Sequence, residues 1–174
     1  MTTFKIASIE AQVFRVPISN PVRTSFSTMR DRPAVVVRAE DAEGNVGWGE
    51  TWCNFPTVGA EHRARLINEN CADILCGRDW QSPRAAFAGL TNQLHVLTIQ
   101  TAEPGPIAQA IAGIDIALWD MTAKRAGVPL YHYLASEFGQ SDLGETASVP
   151  CYASGINPDE PEKTALRAGE EGYT

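Results

Sequence analysis

A-I-A-G-I-D-I-A-L-W-D-M-T-A-K-R-A-G-V-P-L-Y-H-Y-L, Ala110 to Leu134, decides how the rest of this 174-residue chain must be arranged. With Ile107 just before it, Ile111, Ile114, Leu118 and Met121 repeat at 4-3-4-3 spacing, which predicts a helix opening at Pro106. Ala110, Ile116, Ala117 and Trp119 carry the apolar surface round most of the circumference, so several neighbours must cover it. Gly127 and Pro129 close the helix.

The covering elements lie upstream. Ile9, Ala11 and Val13 alternate with Glu10 and Gln12, a half-buried strand that ends at Pro17. Ala34–Glu40 reads as a second strand. The turn D-A-E-G-N then leads to V-G-W-G-E-T-W, Val46 to Trp52, as a third. These predict a three-stranded antiparallel meander. Gly47-x-Gly49 lacks the third glycine and the strand-to-helix context of a phosphate loop, so close backbone packing beside Trp48 is its reading. Between the first two strands, Ser19–Pro33 is expected to be a long loop, of a length that is usually functional or disordered. Phe26 and Met29 within it argue against disorder. Two more helices follow. One carries Ala60, Ala64, Ile67, Cys71 and Ile74 up to Gly77; the other starts at Ser82-Pro83, with a stripe of Phe87, Leu90, Leu94 and Leu97.

Downstream, a polar linker over Glu137–Thr146 precedes an apolar strand, Ser148–Ser154. A loop follows, with Asp159 as candidate N-cap, and then an acidic helix, Glu160–Glu171, with a thin Ala165/Leu166/Ala168 stripe. Gly172 caps it and Tyr173 favours a strand. Strand, helix and strand start open a βαβ unit. A parallel strand needs its neighbour, so the expectation is that the chain is cut inside a larger domain.

Net charge −7 argues against nucleic-acid or anionic-membrane surfaces, which need clustered Lys and Arg. No apolar run is long enough to span a bilayer, and M-T-T-F-K-I-A-S-I-E is neither a signal nor a transit peptide. Cys53, Cys71, Cys76 and Cys151 form no C-x-x-C pair and read as reduced thiols of a cytoplasmic protein. Asp115 and Asp120 are five helical positions apart, about 140°, and cannot chelate one metal by themselves. Asp120 is expected to pair with Lys124, and Asp115 to accept a hydrogen bond at a packed interface. His62, His95 and His132 share no catalytic spacing, and Ser25 and Ser27 have no adjacent base. The loop Thr51–Gly59 sets Trp52, Asn54 and Phe55 outside the core pattern, as a structural cluster or as a binding lip.

V-G-W-G-E, the Ala110–Leu134 stretch, S-V-P-C-Y-A-S-G and a helix ending in E-E-G-Y together resemble the mandelate racemase/muconate lactonizing enzyme family of the enolase superfamily, over the full length and in order. The resemblance implies an α+β capping domain over residues 1–145, a sheet followed by a helical bundle. Residues 146–174 would be the first βα unit of a truncated (β/α)-barrel. It implies a Mg²⁺-dependent parent enzyme, homo-oligomeric when whole, which removes the proton α to a carboxylate and stabilises the enediolate. Racemisation, epimerisation, lactonisation and acid-sugar dehydration all fit. The general base and the Mg²⁺ ligands would lie beyond Thr174, so this chain alone is expected to be inactive, with no catalytic or metal residue of its own. In such a parent, Ser19–Pro33 and Thr51–Gly59 would close over the barrel mouth. Thr24, Ser25, Phe26, Trp52, Asn54 and Phe55, with Ser154 at the end of the first barrel strand, would contact a small carboxylate substrate. The rival reading is a free-standing, non-catalytic binding module that reuses the capping fold.

Overall fold

The computed structural model describes residues 3–23, 27–56, 58–140, 148–154 and 160–173. Its sheet consists of β1 (Phe4–Arg23), β2 (Thr28–Asp41), β3 (Val46–Thr51) and the short β4 (Asp79–Trp80), all antiparallel, in the order β3-β2-β1-β4. The helices are α1 (Gly59–Arg65), α2 (Ala72–Leu75), α3 (Pro83–Thr101), α4 (Pro104–Arg125), α5 (Leu130–Glu137) and α6 (Pro161–Glu170). A π-helical stretch, Leu66–Cys71, joins α1 to α2.

The deciding helix is α4. Ile107, Ile111, Ile114, Leu118 and Met121 are all buried, packed with Ile6, Ile9, Val35 and Val37 of the sheet and Leu90 and Leu94 of α3. Alternation on β2 and β3 sends every second residue into this core. Gly47 and Gly49 face α4 so closely that an added Cβ on Gly47 would overlap the Ala117 carbonyl oxygen and stand 2.5 Å from Met121 N. One on Gly49 would overlap the Gly113 carbonyl oxygen. The close-packing reading of V-G-W-G-E holds.

Several expectations need correction. The Ser19–Pro33 segment is not a loop in its described part: β1 continues to Arg23 and pairs back on β2 through Val22↔Met29 and Arg23↔Thr28. Pro17 reads as the end of the first strand, yet it pairs with Asp31 and the ladder runs on past it. The register shifts between Pro17↔Asp31 and Val22↔Met29, a bulge that takes up the residues between. The meander gains a fourth strand, because Phe4 pairs with Trp80. The extra residue of the π-helical stretch rotates the helix that follows, so Leu75 is buried in place of Ile74. Phe87 is exposed while Ala86 takes its place on the core side of α3. Residues 148–154 form no strand, and Val149 and Tyr152 are exposed: without a described neighbour there is nothing to pair with. The acidic helix α6 is present and buries none of its residues. Asp159, the candidate cap, lies outside the described residues.

The π-helical stretch presents Asn68 to β1. Its Oδ1 accepts from Ala11 N (2.7 Å) and its Nδ2 donates to Ala11 O (3.0 Å), so the amide stands in for a missing neighbouring strand. Asn68→Ala orphans both groups and is expected to lower stability by about 1–3 kcal/mol. Urea unfolding checks this, and an unchanged midpoint would mean that water replaces the amide without loss.

Candidate functional site

At the far end of the sheet, the β1–β2 ribbon and the segment after β3 stand opposite one another. Ser27, Thr28, Met29 and Asp31 line one side of a cleft of about 340 Å³, and Asn54, Phe55 and Pro56 line the other. The size is at the lower end of small-molecule pockets. Buried Cys53 anchors the second side, with its thiol 3.5 Å from Pro33 O on β2. Gly59 N donates to Pro56 O (2.7 Å) and turns the chain into α1; the Phe55–Pro56 peptide is cis.

An ion-pair network braces the two sides. Arg15 on β1 grips Glu61 on α1 through Nε (3.0 Å) and Nη2 (2.8 and 2.7 Å), and reaches Asp31 Oδ1 through Nη1 at 3.3 Å. The bonds from Arg15 hold the Glu61 carboxyl below the usual range, and the Arg15 guanidinium is raised in turn. Behind this network, buried Arg63 donates to Gln109 Oε1 (2.6 Å) and Gly59 O (2.8 Å), tying α1 to α4. His62 meets Glu103 at 3.0 Å, a tie between α1 and the residue before α4.

Of the sequence-derived candidates, Asn54 and Phe55 line the cleft. Trp52 is 54% exposed and does not line it. Ser154 lines a separate cleft with Lys163 and Arg167 of α6. Thr24, Ser25 and Phe26 lie outside the described residues. Asp31, Thr28 and Met29 were not singled out as contacts, since only the ribbon pairing brings them opposite Asn54.

The remaining chemical candidates are structural. Asp120 Oδ2 accepts from Lys124 Nζ (2.6 Å), as expected, and also from Trp48 N (2.8 Å), which covers the outer edge of β3. Burial raises the Asp115 carboxyl against the opposing hydrogen bond of the Trp119 side chain. The four cysteines are free; burial pushes Cys71 up to about 12 and raises Cys53, so neither offers a thiolate at neutral pH. Among the described residues no group of three or more His, Cys, Asp or Glu could hold a metal ion, so they do not fit the Mg²⁺ that the resemblance implies. Among them, too, no helix is long and apolar enough to cross a membrane.

This sheet-and-helix arrangement has known counterparts. Residues 8–135 match the family model described as mandelate racemase/muconate lactonizing enzyme, N-terminal domain. The chain belongs to that family. Among relatives of this family, it is 30% identical over 161 residues to the 3,6-anhydro-alpha-L-galactonate cycloisomerase of Streptomyces coelicolor, covering 90% of this chain and 40% of that protein. It is 26% identical to the N-succinyl-L-Arg/Lys racemase of Bacillus cereus, covering 97% and 42%. A mandelate racemase/muconate lactonizing enzyme from Bordetella bronchiseptica RB50 has a solved structure that superposes with a TM-score of 0.84 at 48% identity, covering 99% of this chain and 42% of that one. The chain thus spans about two-fifths of the length of these relatives.

Proposed function

We propose that this chain is the substrate-selecting cap of a Mg²⁺-dependent enolase-superfamily enzyme that removes the proton α to a carboxylate. The observation that carries the proposal is the cleft in which Asn54 and Phe55 face Ser27–Asp31: two lips of mixed polar and apolar residues, braced by one ion-pair network. The names of its relatives, a cycloisomerase and a racemase, support chemistry of this kind on a small carboxylate. In this reading Thr24, Ser25, Phe26 and Trp52 join the lips, and Ser154 approaches from a barrel whose first unit spans residues 146–174. The base and the metal ligands belong to the rest of the whole protein, which is homo-oligomeric in this reading.

The rival, a free-standing binding module, requires α4 to be covered within the cap. Ala108, Ala112 and Ile116 on one side of α4 are exposed, which favours a further covering layer in the whole protein. Proton NMR in D₂O tests the proposal. The whole protein with Mg²⁺ is expected to wash the α-proton out of its carboxylate substrate, and the 174-residue chain alone is not. Exchange by the isolated chain, or none by the whole protein across α-hydroxy acids, acid sugars and N-acylated amino acids, overturns it.

A further inference from the structure

The cleft has a definite electrostatic character. Arg15 gives both its Nε and its Nη2 to Glu61, so its contact with Asp31 is a single bond of 3.3 Å to Oδ1. Among the described residues, Asp31 Oδ2 accepts nothing. One guanidinium shared by two carboxylates leaves one net negative charge at the cleft wall. The neighbouring polar groups of the cleft, the Ser27 and Thr28 hydroxyls and the Asn54 amide, carry no charge. Arg23, Arg30 and Arg32 of the ribbon do not line the cleft.

We infer that this cleft receives the end of the substrate remote from the reacting carboxylate, that this end is a hydrogen-bond donor (a hydroxyl or an ammonium) and not a second carboxylate, and that Asp31 is the specificity-determining acceptor. The inference rests on the reading of the chain as a cap. The spare Oδ2 offers a charge-assisted bond to a donor, whereas a distal carboxylate would meet a like charge and leave that acceptor unpaired. With its side chain 32% exposed, Asp31 is partly screened, so the discrimination is of the order of tenfold and not thousandfold.

Calorimetric titration of the whole protein with Mg²⁺ provides the test, using carboxylates of one length that differ only at the far end: 6-aminohexanoate, 6-hydroxyhexanoate and adipate. The two donors are expected to bind about tenfold or more tightly than adipate. Asp31→Asn should erase most of that gap, with a larger loss for the ammonium than for the hydroxyl if charge carries the preference. Asp31→Ser, which also removes the charge, should behave alike; the single long ion pair makes both variants tolerable to the fold. Adipate binding as tightly as the donors, or a ranking unchanged in both variants, overturns the inference. If α-proton exchange persists in that case, the cap reading survives and only the assignment of the distal group falls. Loss of both binding and exchange across the substrate panel overturns the two together.

Discussion

Gly49→Ala and Gly47→Ala are each expected to cost about 3 kcal/mol or more of stability, among the larger effects of any single methyl added to this chain. Both glycines lie on β3, against α4. The atoms an added methyl would meet are backbone, the Ala117 carbonyl and Met121 N for Gly47 and the Gly113 carbonyl for Gly49, with Ala117 N also 2.8 Å from the latter site. Backbone cannot rotate away as the tip of a side chain can, so the strand must lift from the helix. The seam is tight from the other side too, since a Cβ on Gly113 would overlap Thr51 Oγ1 and stand 3.2 Å from Val37 Cγ2. Lifting β3 would also pull on the Trp52–Pro56 segment that follows it, so a surviving variant should bind substrate more weakly. Gly105→Ala is the control: nothing lies within 4 Å of its added methyl, and near the start of α4 the change should be neutral or stabilising by about 0.5 kcal/mol. Urea unfolding of the three variants separates these effects. Equal midpoints for Gly49→Ala and Gly105→Ala would mean that the seam is looser than described.

What the sequence made legible follows from the range over which each feature is encoded. The burial of α4 could be read because its periodicity is local and sustained, and V-G-W-G-E because a glycine on alternate strand positions has few uses other than close approach. The ribbon beyond Pro17 could not: prolines mark strand ends unless the strand bulges against a partner, and the partner Thr28–Arg32 is recognisable only once paired. β4 is two residues long and exists only because Phe4 lies beside it. α5 buries only Ala135 and leans on α4 through an edge contact of Tyr133 with Trp119, at 6.1 Å, so it carries no strong stripe of its own. The same logic applies to the cleft. Asn54 and Phe55 stood out as aromatic and amide groups outside the core pattern. Asp31 did not, because its meaning comes from Arg15, sixteen residues away, and through it from Glu61, forty-six residues from Arg15.

Asp41→Ala is expected to lower stability by about 3 kcal/mol, and Asp41→Asn by about half that. The side chain is fully buried at the β2–β3 turn, where Oδ1 accepts from Glu43 N (3.0 Å) and Asn45 N (2.8 Å) and Oδ2 from Asn45 Nδ2 (2.8 Å). Arg125, at the end of α4, stands 3.8 Å from Oδ2. Burial alone would raise this carboxyl; the Asn45 side chain, the two backbone donors and Arg125 together outweigh it and hold it below the usual range. The sign of the pH dependence follows. A carboxyl whose folded pKa lies below its unfolded value of about 3.9 contributes its full stability above that value, and the contribution is lost as pH falls through the folded pKa. Stability should therefore drop as pH is lowered from about 5 towards 3, with Glu61 adding to the drop because Arg15 lowers it in the same direction. In Asp41→Asn the amide cannot titrate and its NH₂ opposes that of Asn45, so the variant starts lower and its slope over this window is shallower. Urea midpoints at pH 7, 5, 4 and 3 for the parent and Asp41→Asn measure both effects. Parallel curves would show that the Asp41 carboxylate is not what fixes the turn that sets β3, and the cleft residues after it, in register.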